Sequence, residues 1–160
     1  MNHFDRLEDF APLLAAHRPL LGLDLGEKTI GLALSDTARR IATPLRTLRR
    51  VKFTQDAASL LEVVAEHQVT GLVLGLPRNM DGSEGPRAQS TRAFARNLSR
   101  LTDIAIAFWD ERLSTVAAER ALIAADMSRK KRADLIDHVA AGYILQGALD
   151  RLAHMQGNAA

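Results

Sequence analysis

Leu20-Leu21-Gly22-Leu23-Asp24-Leu25, then Gly26-Glu27-Lys28-Thr29, then Ile30-Gly31-Leu32-Ala33-Leu34-Ser35, is the stretch that decides the fold class. Its first six residues are apolar on both faces of an extended chain apart from one aspartate. That suits a strand in the middle of a sheet, covered on both sides. Gly26 to Thr29 makes a turn. Ile30 to Ser35 alternates large with small residues, so it pairs back on the first strand.

Working outward, a weaker third strand lies near Thr43 to Leu48. Thr54 is placed to cap a helix on which Ala57, Leu60, Leu61 and Val64 recur at helical spacing. Leu72-Val73-Leu74 reads as a short buried strand ended by Gly75 and Pro77. Pro86 opens a helix whose Phe94, Leu98 and Leu101 share a face. Ile104 to Trp109 is the next strand, with Asp110-Glu111-Arg112 behind it. Ser114 caps a helix to about Ala125, Arg129 to Arg132 form a loop, and Ala133 to about Leu152 is the last helix. Residues 1–19 read as an N-terminal extension with a short helix around Phe4 to Leu14, residues 20–152 as one domain, and 153–160 as a tail. Three early strands followed by strands joined through crossover helices describe an α/β layered domain.

The 160 residues are 47% hydrophobic and 25% charged, as in an ordinary globular domain, which excludes a generally disordered chain. No apolar run reaches the length of a membrane span, and the acidic first residues do not read as a secretion signal. With no cysteine, disulfides, thiolate ligands and thiol nucleophiles are excluded. The expected location is the cytoplasm.

Net charge is only +2, but its distribution is uneven. Arg39, Arg40, Arg46, Arg49, Arg50 and Lys52 share one stretch free of acids. Arg129 to Arg132 are a second basic run, and Arg78, Arg87, Arg92, Arg96 and Arg100 populate a third. Any one cluster alone reads as a solvated face. Three on a nearly neutral chain point to a polyanionic partner such as nucleic acid, with no membrane. Arg39, Arg40 and the rest of that first stretch suit the tracking of a phosphate backbone without reading bases. Aromatic residues are only 4% of the chain, too few for extensive base stacking.

Three carboxylates carry the chemistry. Asp24 interrupts the central strand, where an ionised group needs a cation, strong hydrogen bonds or a proton. Capping of the Gly26 turn and ligation of a cation both suit it. Glu111 follows a strand at the carboxyl end of the sheet, where ligands bind in open α/β folds. Asp110 would point the opposite way, and Arg112 is a salt-bridge partner for either acid. Asp137 falls at the edge of the apolar face formed by Ile136, Val139, Ala140, Tyr143 and Ile144, close in angle to Ile144. His138 points away from that face and reads as exposed. Three carboxylates converging at one sheet end would make a hard oxygen-ligand site suited to Mg²⁺ or Mn²⁺, expected as a pair of ions working on a phosphodiester.

The run from Gly22 through Asp24, Gly26, Lys28 and Gly31 to Ser35-Asp36 resembles the YqgF family. So do Gly75-Leu76-Pro77 with Asn79, Asp81-Gly82-Ser83 and Gly85, then Asp110-Glu111-Arg112-Leu113-Ser114-Thr115, and Lys131-Arg132 ahead of Asp137-His138-Val139-Ala140-Ala141 and Ile144-Leu145-Gln146. The resemblance runs from about Leu20 to Asp150 with four blocks in order. It implies an RNase H-like mixed sheet of five strands, the first three antiparallel and two further ones parallel, flanked by helices. It implies a nuclease resembling Holliday junction resolvases and maturing the 5′ end of precursor 16S ribosomal RNA during ribosome biogenesis. It also implies that Asp24, Glu111 and Asp137 bind metal, and that Lys28, Asn79 and Arg112 contact phosphate or orient the site. Structured RNA is the expected partner, with branched DNA as the other candidate.

Two competing readings stand beside it. The Asp-x-Gly hairpin also resembles the first phosphate motif of actin- and hexokinase-like proteins, which need two such domains where this chain supplies one. A non-catalytic RNA-binding assembly factor fits the basic clusters but leaves the carboxylates without a purpose.

Overall fold

The computed structural model describes the backbone of residues 2–113 and 129–157, with side chains for 2–113 and 138–156. In chain order the elements are β1 (His3–Phe4), α1 (Leu7–Phe10), a 3₁₀ turn (Ala11–Leu13), β2 (Leu20–Leu25), β3 (Thr29–Ser35) and β4 (Ala42–Arg49). Then come α2 (Phe53–His67), β5 (Gly71–Leu76), α3 (Pro86–Ser99), β6 (Ala105–Asp110), a second 3₁₀ turn (Glu111–Leu113) and the long helix α4 (Arg129–Gly157). The strands form one mixed sheet in the order β1-β6-β5-β2-β3-β4. β2, β3 and β4 are antiparallel neighbours, while β5 and β6 run parallel to β2.

All six residues of β2 are buried, as an apolar strand with layers on both faces must be. One face carries Leu21, Leu23, Leu25, Leu72, Leu74, Leu76, Ile106 and Phe108 against α2 and α3. The other carries Ala33, Val73, Ala107 and Trp109 against Ala141, Ile144, Leu145 and Ala148 of α4. Gly22 decides how closely that helix sits. A Cβ there would lie 2.7 Å from the Leu145 Cβ and 3.0 Å from the Ala141 carbonyl oxygen. Burial of this apolar surface drives the layers together at roughly 25 cal/mol per Å².

Several expectations need correcting. The sheet has six strands among the described residues, the extra one being the expected extension. Residues 3 and 4 pair parallel with β6, and the Asn2 side chain donates to the Thr102 and Ile104 carbonyls. Leu7 and Phe10 are buried in the α4 layer. Two residues are too few to show a strand period, which is why the sequence hid this strand. β5 continues through Gly75, which ends no strand. Helix α2 starts at Phe53, not behind a Thr54 cap; the Asp56 carboxylate reaches back to accept the Val51 N–H at 3.0 Å. Leu101 lies beyond α3 and is exposed. The basic run Arg129 to Arg132 is the helical start of α4 rather than a loop. The helix expected from Ser114 to Ala125 falls outside the described residues.

Candidate active site

Strand register sets the site. Across the sheet, Thr47 of β4 pairs with Gly31, Gly31 with Asp24, and Gly75 of β5 with Trp109 of β6. Asp24 and Gly75 each lie one residue past the Leu23–Leu74 pair. One transverse row therefore reads Thr47, Gly31, Asp24, Gly75, Trp109. Alternation along β2 puts Asp24 on the same face as Gly22, toward α4.

Asp24 is buried, with 6% exposure. Both neighbouring strands offer it a glycine, so no side chain crowds the carboxylate within the sheet. Gly75 does more: a Cβ there would stand 3.4 Å from the Glu111 carboxyl carbon and 2.4 Å from Ile144 Cδ1. The Glu111 carboxyl thus lies over β5 on the strand next to Asp24. Glu111 belongs to the 3₁₀ turn that ends β6, which carries its side chain back over the sheet. Two carboxylates drawn together on a covered face repel each other unless a cation or proton joins them. Their all-oxygen character fits a hard divalent cation.

Asp137 lies in helix α4 where side chains are outside the described residues. Its neighbour His138 is partly buried, and its Nδ1 sits 2.9 Å from Thr47 Oγ1. The expectation of an exposed His138 is corrected. β4, the edge strand of the sheet, lies under α4 and meets this imidazole.

Arg112 packs beside the acids. Its guanidinium donates to Asp110, at 2.7 Å from Nη2 to Oδ2, and its backbone N–H donates to Asp110 Oδ1. This hydrogen bonding holds the Asp110 carboxyl below its ordinary pKa and raises that of Arg112. Asp110 is therefore a partner of Arg112, and the Glu111 carboxyl lies beside Gly75. Lys28 is exposed on the β2–β3 turn at the acid end. The register of β4 brings Arg49 to the same end, paired with Thr29. Asn79 stands in the loop after β5, where its amide donates to Ser83 Oγ at 3.0 Å.

Arg39 and Arg40 are not brought together with the acids. They occupy the β3–β4 hairpin at the opposite end of the sheet, about five strand residues or 16 Å away. Arg39 Nη1 donates to the Ala15 and Arg18 carbonyls, each at 2.8 Å, and its backbone is left-handed at φ 57°. It ties the segment before β2 to the hairpin. The third basic stretch is also partly consumed. Arg92 grips Glu84 and Asp5 at 2.6 and 2.7 Å, and Arg78 reaches Glu84 at 3.4 Å. Arg92 depresses the Glu84 carboxyl pKa through this pairing.

Sequence reading missed two features. One is the glycine on either side of Asp24, visible in principle as Gly31 and Gly75 in otherwise large-residue strands. The other is Arg50, which had no signal of its own inside a basic run. Its Nη1 donates to the Gly26 carbonyl at 2.6 Å and its backbone N–H to the Lys28 carbonyl at 2.8 Å. Buried Asp56 lies 3.8 Å from Arg50 Nε, and the guanidinium sits 5.8 Å above the Phe94 ring. One side chain thus fixes the turn that begins two residues after Asp24.

The chain matches the family described as RuvX: Holliday junction resolvase over residues 18–151. It belongs to the RuvX family. A protein of Rhodobacter capsulatus named "Putative pre-16S rRNA nuclease" is 70% identical over 149 residues, covering 93% of this chain and 94% of that one. A protein of the same name from Ruegeria sp. is 66% identical over 154 residues, covering 96% and 98%. Among solved structures, Thermus thermophilus RuvC in complex with a Holliday junction substrate aligns with a TM-score of 0.53 at 12% identity. That alignment covers 86% of this chain and 97% of RuvC, so the RuvX chain shares the fold of that resolvase. The resemblance drawn from the four motif blocks holds, as does the mixed α/β fold. No helix among the described residues is long and apolar enough to cross a membrane.

Proposed function

We propose that this RuvX protein is a divalent-metal-dependent, cytoplasmic nuclease that hydrolyses phosphodiesters in structured RNA and trims the 5′ end of precursor 16S ribosomal RNA. The observation that carries the reading is the pair of carboxylates, Asp24 and Glu111, gathered over glycines 31 and 75 on one covered face. The relatives named "Putative pre-16S rRNA nuclease" support that substrate.

Asp137 is proposed as the third ligand. The course of α4 supports it: the Ala141 carbonyl passes Gly22, and Asp137 is one turn earlier. A helical turn rises 5.4 Å, and two strand residues from Gly22 to Asp24 span about 6.7 Å, so the helix backbone at 137 runs level with Asp24. His138 on Thr47, in the Asp24 row, supports the same level. When bound, a pair of Mg²⁺ or Mn²⁺ ions would activate a water and stabilise the leaving oxygen. The chain's own work is to hold three oxygen donors fixed and shielded. Gly75 leaves room for the Glu111 carboxyl and for Ile144 of α4. Arg50 fixes the turn behind Asp24. Arg112, Lys28 and Arg49 border the site as cations for flanking phosphates. A cleft of about 220 Å³, lined by Gly26, Glu27, Arg50, Arg87 and Ser90, runs from the turn to the start of α3.

The family description favours one further substrate, branched DNA. Purified wild type and Asp24→Asn, each given precursor ribosomal RNA and four-way junction DNA with Mn²⁺ or Mg²⁺, decide the matter. Wild type is expected to shorten the RNA at its 5′ end while Asp24→Asn leaves it intact. Folded wild type that cuts neither substrate with either ion would overturn the proposal.

A further inference from the structure

The loop between β5 and α3 carries a feature the reaction does not use. Residues 79–83 form a closed turn: the Asn79 N–H donates to the Ser83 carbonyl and the Gly82 N–H to the Asn79 carbonyl, both at 2.9 Å. Asp81 Oδ1 accepts the Ser83 N–H at 2.9 Å and the Ser83 hydroxyl at 2.6 Å, and the Asn79 amide donates to the same hydroxyl. Gly82 supplies the left-handed step, φ 88°, and its Cα-side face lies against Arg112, with Nη1 3.4 Å from where a Cβ would stand. The polar side chains of the turn are therefore spent on bracing it. Asn79, expected to contact phosphate, is one of those braces.

What the braced turn presents is Met80, 92% exposed. Single exposed apolar residues are common on surfaces. This one differs in being held at the tip of a turn with five internal hydrogen bonds, so the entropy cost of fixing its backbone is already met before any ligand arrives. It also differs in place. The turn begins three residues after Leu76, at the end of the strand whose Gly75 underlies Glu111, and it rests on Arg112. Leu113, also exposed at 69%, follows Arg112 on the 3₁₀ turn. Met80 thus stands on the turn whose Gly82 rests on Arg112.

We propose that Met80 is a specificity-determining residue that packs on the face of an unpaired nucleobase beside the phosphodiester held at Asp24 and Glu111. A thioether is polarizable and favours contact with flat π-systems, and every base offers such a face without regard to sequence. The residue thereby selects the edge where paired and unpaired strands meet. The proposal rests on the nuclease reading of the acid site, and it explains how a chain with few aromatic residues grips a base.

The test uses the full chain with Ca²⁺ in place of Mg²⁺ so that substrate stays uncut. The probes are hairpins with 2-aminopurine in an unpaired position next to the stem, made in RNA and in DNA, with fully paired controls. Wild type should bind the unpaired hairpin more tightly than the paired one and change its fluorescence. Met80→Ser should weaken that binding by about fivefold or more, the scale of one lost base contact, and abolish the fluorescence change. Met80→Leu should keep both. Equal melting temperatures of the variants exclude misfolding. If Met80→Ser matches wild type in affinity and fluorescence on both RNA and DNA, the proposal is overturned and the tip is left to a protein contact. Cleavage by wild type in Mn²⁺ is scored separately, so loss of nuclease activity and loss of base contact are told apart.

Discussion

The two faces of the sheet are built from the same strands with opposite aims. Toward α2 and α3, β2 and β5 present Leu21, Leu23, Leu25, Leu72, Leu74 and Leu76, all buried. Toward α4, the same strands present Gly22, Asp24, Val73 and Gly75. The first face maximises apolar area and so stability. The second is cut back until a helix backbone touches β2 and two carboxylates fit above glycine. Stability is concentrated on one side of the strands so that the other can hold charge.

That contrast breaks most sharply at Gly75. Gly75→Val places methyl groups where Glu111 and Ile144 now lie, and displacement of a ligand by about 1 Å is worth about a hundredfold in rate. Cleavage rate per folded molecule should fall at least that far. On the other face, Leu72→Ala should cost about 2–5 kcal/mol in urea unfolding, with kcat per folded molecule unchanged. Gly22→Ala tests the close helix: overpacking against Leu145 and Ala141 should cost about 1–3 kcal/mol and lower activity together with stability. Arg50→Ala releases the turn after Asp24 and leaves Asp56 without its cation. It should cost about 1–2 kcal/mol and lower kcat more than it raises KM, with partial recovery in Arg50→Lys.

The smallest effect is electrostatic. Asp110 and Glu84 have pKa values lowered by Arg112 and Arg92. Their stabilisation is therefore complete above the ordinary carboxylate range, near pH 4, and is lost as pH falls through the lowered values. Melting temperature should be flat from pH 7 to about 5 and drop below about 4. Glu84→Gln should flatten part of that drop.

How much of this was legible in the sequence follows from the length of each signal. β2 and β3 could be read because six or seven residues suffice to show a buried strand and its alternating partner. β1 could not, since two residues carry no period. Asp24 announced itself as a charge inside an apolar strand, and Glu111 by its place after β6. The glycines beside Asp24 are meaningful only once register makes Gly31, Asp24 and Gly75 neighbours. The basic clusters pointed to a polyanionic partner, but composition could not show that Arg39 and Arg92 are engaged by carbonyls and carboxylates of the protein itself. His138 misled by angle alone, because the edge strand β4 extends under the helix and meets its ring.

The account stands on a divalent ion held between the acids of the α4 face. Calorimetric titration of Mn²⁺ into wild type, Asp24→Asn and Glu111→Gln measures that directly. Wild type should bind Mn²⁺, and each substitution should weaken binding by at least about tenfold without lowering the melting temperature of the metal-free protein. Equal Mn²⁺ affinity in all three proteins, or none in wild type, would contradict it.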